Sequence, residues 1–267
     1  MTAPGTPVVF VHGLWLHHTS WNPWLDLFRE SGYLPTAPPW PGEKATLAET
    51  LADPAPMGGY GVGEVVDHYA KAMAGLDRKP IVIGHSFGGL IVQILLGRGL
   101  ADAAVAIDPA PIKGVLPLPY SSLRVSSVAL RNPANRKRTV GLTPAQFRYG
   151  FTNTRTEAES AQLYERCAMP SPGRPLFQAA TANFTPGSAT TVDLANPTRG
   201  PLLVTQGGHD HTVAPAIPMA TYKLHKKHST AVTTLHTFPD ADHSLCLNSD
   251  WREVADVVLG WLKSQGR

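Results

Sequence analysis

PIVIGHSFGGLIVQILLG occupies residues 80–97. An apolar, β-branched run, Ile81 to Ile83, leads directly into Gly84-His85-Ser86-Phe87-Gly88-Gly89. A second run then follows that is apolar nearly all round. Strand, tight turn and buried helix are therefore expected in immediate succession. The turn matches the pattern G-x-S-x-G, in which a serine sits on a sharp, strained connection. Gly84 and Gly88 remove side chains that would collide across such a turn, and Gly89 lets the helix pack close to the sheet. The serine also lands at a helix N-terminus, where backbone N–H groups face developing negative charge.

Outward from this stretch the same grammar repeats. Pro7–Gly13, Ala103–Pro111, Pro201–Gly208 and Ala231–Asp240 are further short apolar runs ending in turn residues. Runs of this kind suit strands buried on both faces of a parallel sheet. Helical spacing fills the gaps at Gly63–Leu76, Gly88–Leu100 and Trp251–Leu262, the last with Asp250 as a candidate N-cap and Glu253 three residues on. The pattern predicts an α/β fold with a mostly parallel sheet of about six strands and helices on both faces. Residues 113–196 break the alternation with short helical patterns separated by prolines. They are too long for a structureless loop and are expected to form an inserted helical cap. Residues 1–112 and 197–267 are then the core.

A serine hydroxyl needs a base, and the base needs an orienting acid. Of 11 histidines, His243 in FPDADHSL lies between the last expected strand and the last helix. In GGHDHTV, residues 207–213, Asp210 follows another expected strand. Ser86, Asp210 and His243 then fall in the chain order of serine triads on this sheet type. Asp108 in AIDPAP is the rival acid, because it also ends an expected strand. A metal reading of His209, Asp210 and His211 lacks a second ligand cluster to complete it, so no metal is expected. The oxyanion donors are expected to be the N–H of Phe87 and, in the loop HGLW after the first strand, that of Leu14, with Trp15 second.

VHGLW, GHSFGG, GGHDHTVAP and DADHSL together resemble the α/β-hydrolase superfamily, in its small bacterial esterase and non-haem haloperoxidase-like branches. The motifs fall in the expected order over nearly the whole chain. The resemblance implies a helical cap and no metal or organic cofactor. Two departures stand out. The chain begins directly at VVFVHG, where larger members have two leading strands. The nucleophile position is Ser, where dehalogenase and epoxide-hydrolase branches use Asp, which argues against those activities.

The implied activity is hydrolysis of a carboxylic ester through an acyl-enzyme. Amides, lactones, C–C bonds between acyl groups and peracid formation are alternatives on the same residues. From other classes come a non-catalytic small-ligand receptor and a lyase or cofactor-free oxygenase. Aromatic and aliphatic residues of the expected cap favour an apolar or aromatic small molecule as substrate. Trp15, His17, Tyr120, Phe147 and Phe151 are the candidate binding residues.

Composition sets the outer limits. With 267 residues, 43% hydrophobic and 16% charged, the chain can bury a large core. A net charge of +3 and a pI near 8.9 are only mildly basic. The basic stretches Arg131–Arg138 and Lys223–His228 lack the interleaved aromatics of a nucleic-acid surface, so no nucleic-acid partner is expected. Two cysteines make no disulfide framework. The start, MTAPGTPVVFVHG, lacks the features of a signal peptide, and no apolar run reaches membrane-spanning length. A cytoplasmic protein without membrane contact is expected. Oligomeric state is not legible.

Overall fold

A computed structural model describes residues 5–267; residues 1–4 of the expected core lie outside the description. The elements are β1 (Thr6–Val11), α1 (Asn22–Glu30), β2 (Tyr33–Thr36), α2 (Leu47–Ala52), α3 (Val62–Met73), β3 (Ile81–His85), α4 (Phe87–Gly97) and β4 (Ala103–Ile107). Next come α5 (Tyr120–Leu130), β5 (Thr139–Val140), α6 (Pro144–Phe151), α7 (Glu157–Cys167), β6 (Ser171–Pro172) and α8 (Arg174–Thr181). The chain closes with β7 (Leu202–Gly207), α9 (Ala216–His228), β8 (Thr233–Phe238) and α10 (Trp251–Ser264).

Six strands form one sheet in the order β2-β1-β3-β4-β7-β8, and every pairing in it is parallel. All residues of β1, β3, β4 and β7 are buried, as their near-continuous apolar sequences require. The edge strand β2 was not legible as a run, since YLPT is short, alternates in burial and carries Pro35. Proline is tolerated there because β2 pairs on one side only. From β2 the chain crosses back to β3 on the other side of β1, which puts a crevice at the C-terminal ends of β1 and β3.

Helices surround the sheet. All eleven residues of α4 are buried, as its apolar circumference demands. Trp24 of α1 meets Trp251 of α10 at 5.9 Å and, with Trp21 and Phe28, encloses Phe10 of β1. Asp250 does stand at the N-cap position of α10, but its side chain does not cap the helix; it bonds Arg155 Nη1 at 2.6 Å instead. Between β4 and β7 lie α5 to α8 and the two-stranded β5–β6 pair, whose two-residue strands carry no sequence signal. Both cysteines, Cys167 and Cys246, are buried free thiols. Among the described residues no helix is long and apolar enough to cross a membrane.

Two core histidines set an acid limit on stability. His225 of α9 bonds Gln93 of α4 at 2.9 Å, and His85 bonds the His243 carbonyl at 2.9 Å. Burial lowers His225 to about 3 and takes His85 well below the ordinary imidazole value. The unfolded chain therefore binds protons near pH 6.5 that the folded chain refuses, and stability falls as pH drops through that value. Each ring is expected to cost about 1.4 kcal/mol per pH unit. Urea denaturation at pH 7 and pH 5 checks this; equal stabilities would mean that the rings accept protons without unfolding.

Candidate active site

Ser86 sits between β3 and α4 with φ 56° and ψ −119°, a backbone that L-residues rarely adopt. The strain is held by close approach on both sides. A Cβ on Gly84 would lie 2.2 Å from the Gly88 carbonyl oxygen, and one on Gly88 would lie 2.0 Å from that of Val11. Ser86 donates its N–H to Ile107 O, and its own carbonyl accepts from Ala110, each at 2.9 Å. The elbow is thereby fastened to the turn after β4. Phe87 begins α4, so its N–H belongs to the first helical turn, where amides have no intrahelical partner.

His243, in the segment between β8 and α10, is fully buried. Its Nδ1 bonds Asp210 Oδ2 at 2.5 Å. Asp210 Oδ1 accepts the Val213 N–H at 2.7 Å. The structure thus joins two of the three residues picked from the sequence by a direct bond. His243 Nε2 is buried with no hydrogen-bond partner, so the link onward to Ser86 stands open in this structure. Burial pushes His243 down, opposed by the charges of Asp108 and Asp242; burial pushes Asp210 up, opposed by hydrogen bonds from Asp108, Val213 and Thr212. Asp108, the rival acid, lies in the same cluster, with side-chain atoms of Asp108, Asp210 and His243 all within 4.8 Å of one another. His209 and His211 turn away: Asn153 donates to the His209 carbonyl, and the His211 ring bonds Tyr149 O.

The loop after β1 brings Gly13 against Ser86, where a Cβ would come 2.7 Å from the serine's own Cβ. Leu14 follows, buried. Trp15 has φ 67°, and its N–H is taken by Ser171 Oγ at 2.6 Å. Three more bonds stitch this loop to the inserted helical segment: Trp15 Nε1 to Val140 O at 3.0 Å, Met169 N–H to Trp15 O at 3.0 Å and His17 N–H to Cys167 O at 2.9 Å.

A cavity of about 180 Å³ opens onto Ser86 and Phe87. Trp15, Leu118, Leu123, Leu176 and Ile217 supply much of its wall, and among the described residues no charged one lines it. Of the five candidate binding residues only Trp15 is in that wall. Tyr120 is 77% exposed, and the residues of α5 that border the cavity are Ser122, Leu123, Val125, Ser126 and Leu130. Phe147 and Phe151 are fully buried and stacked at 4.8 Å, with Phe151 edge-on to the His243 ring at 4.8 Å. Phe151 covers the histidine, Phe147 backs Phe151, and neither is in the cavity wall. His17 is buried away from the entrance, bonded to Thr19 Oγ1 at 2.7 Å and close to Glu43.

Glu43 had drawn no attention in the sequence. Its buried carboxylate accepts from His12 Nε2 at 2.9 Å, His18 Nδ1 at 2.8 Å and the amides of Trp40 and His18. Among the described residues, two groups bring metal-type ligand atoms within 4.8 Å of one another, His17–His18–Glu43 and Asp108–Asp210–His243. In both, internal hydrogen bonds already occupy those carboxylates. The His209–Asp210–His211 set is not brought together in this way.

A family model described as "Alpha/beta hydrolase family" matches residues 8–257. No curated protein sequence matches the chain. Solved structures do. A candidate non-heme bromoperoxidase from Mycobacterium tuberculosis superposes with a TM-score of 0.72 at 21% identity, covering 98% of this chain and 93% of the other. A monoacylglycerol lipase from Paleococcus ferrophilus gives 0.67 at 20% identity, covering 98% and 96%. A methylesterase from Arabidopsis gives 0.64 at 16% identity, covering 97% and 99%. At such identities the likeness is one of fold.

Proposed function

The chain belongs to the alpha/beta hydrolase family, and from that premise we propose that it cleaves carboxylic esters of small, uncharged, apolar or aromatic molecules through an acyl-enzyme. The observation that carries this reading is a strained Ser86 at the wall of an uncharged cavity, and a buried His243–Asp210 pair with a free Nε2 supports it. Ser86 Oγ attacks the ester carbonyl as His243 Nε2 accepts its proton. His243 then passes that proton to the leaving alcohol. A water molecule, deprotonated by the same nitrogen, releases the acid. Asp210 holds Nδ1–H, which keeps Nε2 as the acceptor and stabilises the imidazolium. The amides of Phe87 and Leu14 receive the tetrahedral oxyanion.

Residues 113–196 act as a cap over the serine, and their apolar inner wall selects the substrate. A bare carboxylate or phosphate would meet no countercharge there. The volume is below the roughly 300–1,000 Å³ typical for drug-sized ligands, which favours short acyl groups. Two structural relatives, a monoacylglycerol lipase and a methylesterase, are named for ester chemistry, which supports this reading.

A fluorophosphonate probe followed by intact-mass analysis and peptide mapping tests the reading. One adduct on Ser86, lost in His243→Ala, is the expected result, together with turnover of short-chain aryl esters. A folded protein that takes up no probe would sink it and move attention to a receptor or lyase on the same scaffold.

A further inference from the structure

Asp108 is the first residue after β4, and it is fully buried. Its φ is 41°, unusual for a residue with a side chain. The turn that carries it is bonded to the Ser86 backbone on either side, through Ile107 and Ala110. Thr205 Oγ1 donates to Oδ1 at 3.1 Å and the Gly207 N–H to Oδ2 at 3.0 Å. Its remaining neighbour is a second carboxyl, that of Asp210, and titratable atoms of Asp108, Asp210 and His243 lie within 4.8 Å of one another.

Two bare carboxylates with oxygens within 4.8 Å of each other, out of water, repel strongly. Among the described residues neither has a Lys or Arg ion-pair partner to offset that repulsion. We propose that Asp108 is a positioning residue that shares one proton with Asp210, so that the acid beside His243 is a carboxyl–carboxylate pair with a single negative charge. Its catalytic use rests on the triad reading above; the shared proton itself does not.

The neighbours decide where the proton resides. Asp210 faces His243 Nδ1 and the amides of Val213 and Thr212, all suited to a carboxylate. Asp108 therefore keeps the proton and donates it to Asp210. Burial, then the nearby charge of Asp210, pushes Asp108 in the same direction. The other titratable groups around the pair are Asp242, Cys246 and His85. Asp242 is itself bonded by Thr154 and Ser244, and His85 by the His243 carbonyl. Among the described residues, no hydrogen bond joins Asp242 or His85 to the pair. In the absence of Asp210, Asp108 would ionise and hold the negative charge close to His243.

Infrared spectroscopy of the full chain at neutral pH is expected to show a protonated-carboxyl C=O band that vanishes in Asp108→Asn. The band should vanish in Asp210→Asn as well, as the charge passes to Asp108. This readout needs no turnover, so it fails or succeeds independently of the esterase reading. Kinetics then tests the use made of the pair. Asp108→Asn should lower kcat/KM by at least tenfold more in the Asp210→Asn background than in the wild type. A wild type without the band, a band that persists in Asp210→Asn, or equal costs of Asp108→Asn in both backgrounds would each overturn the proposal. Should Asp108→Asn fail to fold, the wild-type and Asp210→Asn spectra alone decide it.

Discussion

Ser86→Ala is expected to lower ester turnover by about 10⁴- to 10⁶-fold while leaving the protein folded. The size follows from the loss of covalent chemistry, since a water molecule would then have to attack the ester directly. Other hydroxyls border the cavity, those of Ser122, Ser126 and Thr212. Thr212 Oγ1 is spent on the Gly150 carbonyl at 2.8 Å. Neither Ser122 nor Ser126 stands at the N-terminus of a buried helix, so none replaces the elbow serine. The fold should survive, because the Ser86 side chain makes no capping bond to α4. The backbone bonds to Ile107 and Ala110 do not depend on it. Steady-state kinetics on a short aryl ester, paired with a thermal melt, separates the two effects. Activity within tenfold of the wild type would remove Ser86 from the chemistry.

Gly88→Ala should do the reverse and remove the fold. The added methyl would lie 2.0 Å from Val11 O, 2.7 Å from Val11 C and 2.8 Å from His12 O. All three are backbone atoms, and Val11 and its neighbours are paired in register with β3. Relief would require parting α4 from β1, at a cost expected to exceed roughly 4 kcal/mol. Gly260→Ala is the matched control, since nothing lies within 4 Å of its added methyl. In the interior of α10 that change should stabilise by up to about 1 kcal/mol. Chemical denaturation of both variants checks the pair. A Gly88→Ala protein as stable as the wild type would mean that the elbow tolerates a gap between helix and sheet.

The central strands were readable because burial on both faces leaves an uninterrupted apolar run, as in Ile81–Ile83 or Leu202–Val204. β2 was not, because an edge strand needs neither continuous burial nor every amide. Ser86, Asp210 and His243 stand out in the sequence by a turn pattern, an order along the chain and places at strand ends, and of these three the structure joins His243 to Asp210 directly. The cavity wall was not readable. Whether Tyr120 or Leu123 faces the serine depends on the rotation of α5, set by what it packs against rather than by its own weak amphipathicity. His17 was misplaced for a related reason: the turn at Trp15 sends the following chain into the body toward Glu43, more than twenty residues away in sequence. Asp108 was seen as a rival to Asp210. Only the parallel pairing of β4 with β7 puts the two carboxyls side by side.

The four bonds between residues 15–17 and the segment from Val140 to Ser171 bear on how this protein can be altered. Those bonds fix the strand-end loop that presents Leu14. An exchange of residues 113–196 for the equivalent part of a relative would remove the Ser171 hydroxyl bond unless a hydroxyl stands there, and would keep the other three only where the new backbone follows the same path. On the proposed function, that segment is therefore coupled to the loop beside Ser86, and a chimera without a hydroxyl at position 171 is expected to lose hydrolytic activity along with the old selectivity. A new substrate range is better sought by single replacements at the positions of α5 that border the cavity, Ser122, Leu123 and Ser126, which leave that seam closed.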